Sequence, residues 1–312
     1  MNNILITGGS GLVGSAIKSI YNNYPNYNFI FLSSSDCDLT DYNQTLKYFQ
    51  KTKPDLVIHL AANVGGLFKN MTQKVQMFEI NLMINFNVIK ASYNVGVKKL
   101  ISCLSTCIFP NKTSYPMNEN MVHDGVPHFS NDAYAYAKRM IEIQSNAYNE
   151  QYGTNYICII PTNIYGPHDN FNLSDAHVIP ALIHKCYLAK SNNESFIVAG
   201  SGKPLRQFIY SEDLAKLIIW CIETYNEKSS IILSVDESNE ISIGDIAKII
   251  ATKFNYIERL EFDKTKSDGQ YKKTADNSKL KSYLPNFEFT KIENGLSKTI
   301  DWFINNYDNC RK

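Results

Sequence analysis

Thr7-Gly8-Gly9-Ser10-Gly11-Leu12-Val13-Gly14 follows the apolar run Asn3 to Thr7 and opens a segment of helical periodicity, Leu12 to Tyr21. A strand, a glycine turn and a helix in that order bring helix N-terminal amides to one spot, where they can meet phosphate charge. Gly8 can take backbone angles closed to other residues, Gly11 lets the main chain approach a pyrophosphate, and Gly14 allows the helix to pack closely on the strand. The spacing therefore predicts a dinucleotide site made by Gly8, Gly9, Ser10, Gly11, Leu12, Val13 and Gly14.

Outward from this loop the chain alternates two periods. Short apolar or β-branched runs, Asn28 to Leu32, Leu56 to Leu60 and Lys99 to Cys103, are separated by helical spacing such as Glu79 to Tyr93. Continuous apolar strands suit a sheet buried on both faces by crossover helices. The fold class expected is α/β, a Rossmann-type doubly wound parallel sheet with a smaller C-terminal α/β lobe. Residues 1–165 would form the cofactor domain, with about 205–240 returning to it, and 166–312 would be mainly the substrate lobe. In the second half the spacing predicts helices at His177 to Ala189, Ser211 to Tyr225 and Ser242 to Phe254, and a terminal helix ending near Tyr307. Strands are predicted at Phe196 to Ala199, Ile231 to Val235 and Ile257 to Phe262.

Composition narrows the function. The 312 residues are 44% hydrophobic, enough for a large core, and carry 31 Lys and Arg against 30 Asp and Glu. A formal charge of +1 gives no broad basic field for nucleic acid or anionic lipid, so a small-molecule ligand is expected. Seven irregularly spaced cysteines, with no CxxC, read as free thiols in a reducing compartment and supply no metal site. No apolar run is long enough to span a membrane and no signal-peptide pattern precedes the first strand, so a cytoplasmic protein is expected.

The second strand ends in Leu32-Ser33-Ser34-Ser35, without the carboxylate that binds two ribose hydroxyls in NAD-selective sites. NADP is favoured, although no nearby Arg offers charge to a 2'-phosphate. Asp38-Leu39 is an adenine contact candidate, with Asp38 equally a cap for the helix starting near Asp41. The helix over Asn131 to Tyr152 carries Tyr134 and Lys138 one turn apart on one face. With 20 Tyr and about 27 Lys such a pair arises about 1.7 times by chance, so its position after the fourth strand, rather than its presence, gives it weight. A Lys ammonium there would pull the Tyr134 phenol below its usual value near 10. Ser105, just beyond the strand Lys99 to Cys103, can donate to a substrate carbonyl beside that phenol.

Together the glycine loop, His59-Leu-Ala-Ala62, Ser105 and Tyr134 with Lys138 resemble the extended short-chain dehydrogenase/reductase superfamily, whose members modify nucleotide sugars. Further stretches resemble its GDP-L-fucose synthase family over almost the whole chain. These are Val64-Gly-Gly-Leu-Phe-Lys-Asn70, Cys103-Leu-Ser-Thr-Cys-Ile-Phe-Pro110, Pro161-Thr-Asn-Ile-Tyr-Gly-Pro-His-Asp-Asn-Phe171, His177-Val-Ile-Pro180 and Lys266-Ser-Asp-Gly269. The resemblance implies epimerisation of GDP-4-keto-6-deoxy-D-mannose at carbons 3 and 5, then NADPH-dependent reduction of the carbon-4 ketone. It implies Cys107 as base and His177 as acid of the epimerisations, with Ser105 and Tyr134 on the enolate oxygen and Tyr134 as proton donor in reduction. Lys138, Pro161, Thr162, Asn163, Ile164 and His177 would touch NADP(H). Lys185, Ala199, Arg206, Asp268 and Lys273 would hold the substrate, Ala199 standing where animal relatives have Trp. A homodimer is implied by analogy. A 4-epimerase or dehydratase of the same superfamily is the competing enzyme reading, but the acidic pair a dehydratase carries after its active-site Ser or Thr is replaced here by Thr106-Cys107. A nonenzymatic dinucleotide-binding regulator would have no reason to keep Ser105, Tyr134 and Lys138 together.

Overall fold

The computed structural model describes residues 1–266, 268 and 270–312, so Ser267 and Gly269 of the Lys266 to Gly269 stretch lie outside the described residues. The first half runs β1 (Asn2–Thr7), α1 (Leu12–Ile20), β2 (Tyr27–Leu32), α2 (Tyr42–Thr52), β3 (Leu56–His59), α3 (Leu67–Thr72), α4 (Lys74–Asn94), β4 (Lys99–Cys103), α5 (Asp132–Tyr152) and β5 (Tyr156–Pro161). It continues as β6 (Asn163–Tyr165), α6 (Val178–Asn192), β7 (Phe196–Ala199), β8 (Leu205–Arg206), β9 (Phe208–Tyr210), α7 (Ser211–Glu223) and β10 (Ile231–Leu233). The chain ends with β11 (Ile241–Ser242), α8 (Ile243–Lys253), β12 (Leu260–Asp263), α9 (Ser278–Tyr283) and α10 (Ile292–Asn305).

Six strands make one sheet in the order β10-β5-β4-β3-β1-β2, and every neighbouring pair is parallel. The path reverses at β1, which lies between β2 and β3, and such a reversal opens a crevice at the carboxyl ends of the strands. Alternation along each strand sends residues to two buried layers. Leu5, Val57 and Leu100 pack with Val88, Ile89 and Ile141 under α4 and α5. Ile4, Ile6, Ile58 and Ile101 face the other way, onto Ile17 of α1 and Leu214, Leu217 and Ile218 of α7. Each such side chain, removed wholly from water, contributes about 1.5–3 kcal/mol, which explains why these strands read as unbroken apolar runs.

A third core is gathered from Ile183 of α6, Phe196 of β7, Ile246 of α8 and Phe303 of α10, beside Tyr165 and Phe171. Here the sheets are small: β7 pairs with β12, β6 with β9, and β8 with β11.

Three local expectations change. The predicted strand over 257–262 begins as a single tight helical turn, Ile257–Arg259, and only Leu260–Asp263 pairs with β7. The predicted helix over 79–93 starts five residues earlier, at Lys74, behind the separate short helix α3. Finally, Asp41 rather than Asp38 caps α2, because its carboxylate accepts the amides of Asn43 and Gln44 at 2.8 and 3.1 Å; Asp38 instead accepts the amide and hydroxyl of Thr40.

Candidate active site

The carboxyl ends of β1 to β5 open into a cavity of about 1290 Å³. That exceeds the roughly 300–1,000 Å³ of a single-ligand pocket and leaves room for two ligands side by side. Gly8, Ser10, Gly11, Leu12, Val13 and Gly14 form one wall. Gly8 has φ +71°, and a Cβ there would come within 2.9 Å of the Ala61 backbone. A Cβ on Gly14 would fall 2.5 Å from the Gly8 carbonyl oxygen. Gly9 lies off the cavity: its amide donates to the Leu32 carbonyl at 2.8 Å and a Cβ would strike Phe31, so it fastens the turn to β2. Gly11 starts α1 with no side-chain cap, leaving the first helical amides to a ligand.

At the β2 end of this wall the cavity is lined by Ser33, Ser34, Cys37, Asp38 and Leu39. Asp36 follows, but its carboxylate is occupied within the turn, accepting the amide and hydroxyl of Ser33 at 2.9 and 2.6 Å. At the far end lie Pro161, Thr162, Asn163 and Ile164. The Thr162 hydroxyl is buried without a partner among the described residues. Open helix amides at one end and an orphaned hydroxyl at the other fit an extended dinucleotide bearing phosphates and a polar terminal ring.

Ser105, Tyr134, Lys138 and His177 line the same cavity. Tyr134 and Lys138 come from the first turns of α5, Ser105 from the turn after β4, and His177 from the N-cap of α6. Lys138 Nζ donates to the Cys103 carbonyl at 2.8 Å and lies 5.9 Å from the centre of the Tyr134 ring. Burial lowers the Lys138 pKa and raises that of Tyr134 well above 10.0. The expected fall of the Tyr134 pKa is therefore not seen: desolvation of the phenolate outweighs an ammonium held on a carbonyl, and Tyr134 keeps its proton. Burial likewise pushes the His177 imidazole below 6.5, opposed by the charge of Asp175.

Cys107 stands apart from these four. It lines a small side pocket with His128, Gln270 and Lys273, and Thr106 borders both cavities. Its amide donates to Ser105 Oγ at 3.4 Å. Burial raises the thiol above 9.0, with Ser105, Lys273 and Lys138 pulling down.

Of the residues expected on the substrate, Lys273 borders the side pocket of Cys107, and none lines the large cavity. Arg206 donates to the Gln270 carbonyl at 2.7 Å and to the Leu205 and Tyr271 carbonyls, so its guanidinium pins the 270–271 backbone onto β8. Asp268 accepts the amide and hydroxyl of Ser201 at 2.6 and 2.7 Å. Ala199 is exposed at the end of β7, and Lys185 is half-buried on α6; neither lines the large cavity.

Charged and amide lining residues not singled out from the sequence include Lys69, Asp169, Asn170, Asp175 and Arg311. Asp169 and Asn170 lie inside the quoted stretch 161–171, and Lys69 inside 64–70, so family-like segments marked their neighbourhood without marking the side chains. Arg311 had no local signal. It reaches the site because its carbonyl accepts the Phe171 amide and its guanidinium donates to the His168 carbonyl.

Comparison with known proteins shows the family. Residues 4–235 match the NAD dependent epimerase/dehydratase family. A GDP-L-fucose synthase of Dictyostelium discoideum is 54% identical over 311 residues, covering 99% of this chain and 97% of that protein. A probable GDP-L-fucose synthase of Drosophila melanogaster is 47% identical over the full length of both. The crystal structure of a GDP-L-fucose synthetase from Naegleria fowleri bound to NADP superimposes with a TM-score of 0.95 at 47% identity, covering 100% of this chain and 95% of that one. The chain therefore belongs to the GDP-L-fucose synthase family, within the NAD dependent epimerases/dehydratases.

Proposed function

We propose that this protein converts GDP-4-keto-6-deoxy-D-mannose to GDP-L-fucose, using NADP(H), by epimerisation at carbons 3 and 5 followed by reduction at carbon 4. The observation that carries the reading is the single cavity in which Ser105, Tyr134, Lys138 and His177 face the glycine loop, with Cys107 two residues from Ser105. Family membership supports it, as does the NADP bound to the Naegleria fowleri protein.

The ketone acidifies the protons on carbons 3 and 5, so one base and one acid invert both centres through enolates. Cys107 thiolate takes the proton from one carbon and His177 imidazolium returns one to its opposite face; the thiol then loses its proton and the imidazole regains one by exchange with solvent before the second carbon is inverted in the same way. Ser105 and the protonated Tyr134 phenol donate to the enolate oxygen, where charge develops. When bound, NADPH supplies hydride to carbon 4. Tyr134 then gives its proton to the new alkoxide, and Lys138 faces the phenolate left behind. On the chain's side Gly8, Ser10, Gly11, Leu12, Val13 and Gly14 would hold the pyrophosphate, Asp38 and Leu39 the adenosine, and Pro161 to Ile164 with Lys138 and His177 the nicotinamide end. Gly9 would serve by fixing the turn. Lys273, beside Cys107, would meet the substrate directly. Lys185, Ala199, Arg206 and Asp268 belong to the substrate lobe, and Arg206 would act through the 270–271 backbone it anchors.

In this reading residues 1–165 with about 205–240 are the cofactor domain and 166–312 mainly the substrate lobe. A homodimer is supported by the apolar face of α4 and α5, which pack on each other and expose Val75, Phe78, Met83, Phe86, Tyr136, Met140 and Ile143. A second copy would cover that face. Seven free cysteines support the cytoplasm as its location. The test is direct: purified protein with the keto sugar oxidises NADPH, followed at the nicotinamide absorbance band, and loss of no absorbance would remove the reductase claim.

A further inference from the structure

Asp169 is a buried acid for which the reaction above has no use. The residue lines the large cavity, yet it is only 5% exposed. Oδ1 accepts the Asn170 amide at 2.7 Å, while Oδ2 is buried with no hydrogen-bond partner among the described residues. The nearby Arg311 guanidinium donates to the His168 carbonyl instead. Buried carboxyl oxygens are nearly always partnered, because leaving one bare forfeits its hydration without return. An unpartnered carboxyl oxygen on a residue that lines the cavity is suited to a ligand that completes it once the side chain turns toward that ligand.

The ligand's chemistry follows from the surroundings. Burial pushes the Asp169 carboxyl up to about 7, and Asp175 lines the same stretch of wall. The cations of this wall are engaged by protein groups, Lys69 lying 4.0 Å from Asp175 and Arg311 donating to the His168 carbonyl, whereas a neutral hydroxyl needs no free cation and can both donate to a carboxylate and accept from a carboxylic acid. Asp169 also belongs to the 166–177 loop, which ends on His177 and is tied together by the Asn170 side-chain amide donating to Asp175 at 2.8 Å.

We propose that Asp169 Oδ2 is a substrate-binding group that takes a hydroxyl of the sugar ring, setting specificity at the His177 end of the cavity. The proposal rests on the nucleotide-sugar reading above.

The experiment compares Asp169→Ala with wild type in three constants: KM for GDP-4-keto-6-deoxy-D-mannose, the inhibition constant of GDP, and KM for NADPH. The keto-sugar KM rises about tenfold, as for one lost hydrogen bond, while the GDP and NADPH constants stay within twofold; Asp169→Asn restores most of the difference. An unchanged keto-sugar KM, or equal losses in all three constants, overturns the proposal. Should Asp169→Ala fail to fold, 13C-carboxyl-labelled wild type replaces it, with the Asp169 resonance assigned by its absence in Asp169→Asn. That resonance shifts on adding GDP-mannose but not GDP, and equal responses to both overturn the proposal. Failure of the underlying reading is separate: wild type itself would then consume no NADPH with the keto sugar.

Discussion

Lys138 Nζ is bound to the Cys103 carbonyl at 2.8 Å, which fixes the only charged atom of the α5 Tyr/Lys pair to the end of β4. The ammonium is thus placed by the sheet and not by the phenol, whose ring centre is 5.9 Å away. Lys138→Ala removes the cation that faces Tyr134 after proton donation, and reduction falls by about 100-fold or more in kcat. Stopped-flow NADPH oxidation checks this; a variant within threefold of wild type would remove Lys138 from the reduction.

The ionisation of Cys107 and His177 runs against their proposed roles. Burial raises the thiol above 9.0 and lowers the imidazole below 6.5, so near neutrality the pair is mostly uncharged. The active thiolate and imidazolium form carries the same total proton count, as a minority of the singly protonated state. Its abundance is constant between the two apparent pKa values. Exchange of solvent deuterium into carbons 3 and 5 is therefore flat across neutral pH, falling below the depressed His177 value as Cys107 and His177 are both protonated, and falling above the raised Cys107 value as both lose protons. A limb inside the range 6.5 to 9.0, seen by NMR, would contradict the placement of either group.

Gly14→Ala places a methyl 2.5 Å from the Gly8 carbonyl oxygen and 2.7 Å from the Gly9 backbone, neither of which is the end of a flexible side chain. The turn must shift, costing about 1–3 kcal/mol in stability. Because the first amides of α1 move with it, NADPH affinity drops at least about tenfold. Thermal unfolding with and without NADPH separates the two effects: the variant's Tm falls and its gain on adding cofactor shrinks.

Phe86, on α4, is 48% exposed within the apolar face shared with α5. Phe86→Glu places a charge there, so sedimentation should show a monomer where wild type shows a dimer. A wild-type protein that sediments as a monomer at micromolar concentration would refute the paired-helix dimer.

The sheet was legible because its inner strands are buried on both faces, so Asp55-Leu-Val-Ile-His-Leu60 and its counterparts stand out as largely apolar runs. The phosphate loop was legible because steric limits at Gly8 and Gly14 restrict residue choice. The short elements of the small lobe were less so. Strands β8 and β11 have two residues each, too short for any period to register, and α9 has six. The partners of the charged residues were least legible. Arg206 is a rare guanidinium in sequence, and two of its three carbonyl partners lie about 65 residues away, where only the tertiary fold brings them to it. Asp169 and Arg311 reach the cavity wall through long-range packing, which no local pattern encodes.

Reaction of the keto sugar with NADPH in deuterated water, with the product read by NMR, tests the central claim most directly. Wild type gives GDP-L-fucose bearing solvent deuterium at carbons 3 and 5, and Cys107→Ala still reduces the ketone but introduces no deuterium at either carbon. Reduced sugar without deuterium from wild type, or normal exchange in Cys107→Ala, would contradict a thiol base working beside Ser105 and Tyr134.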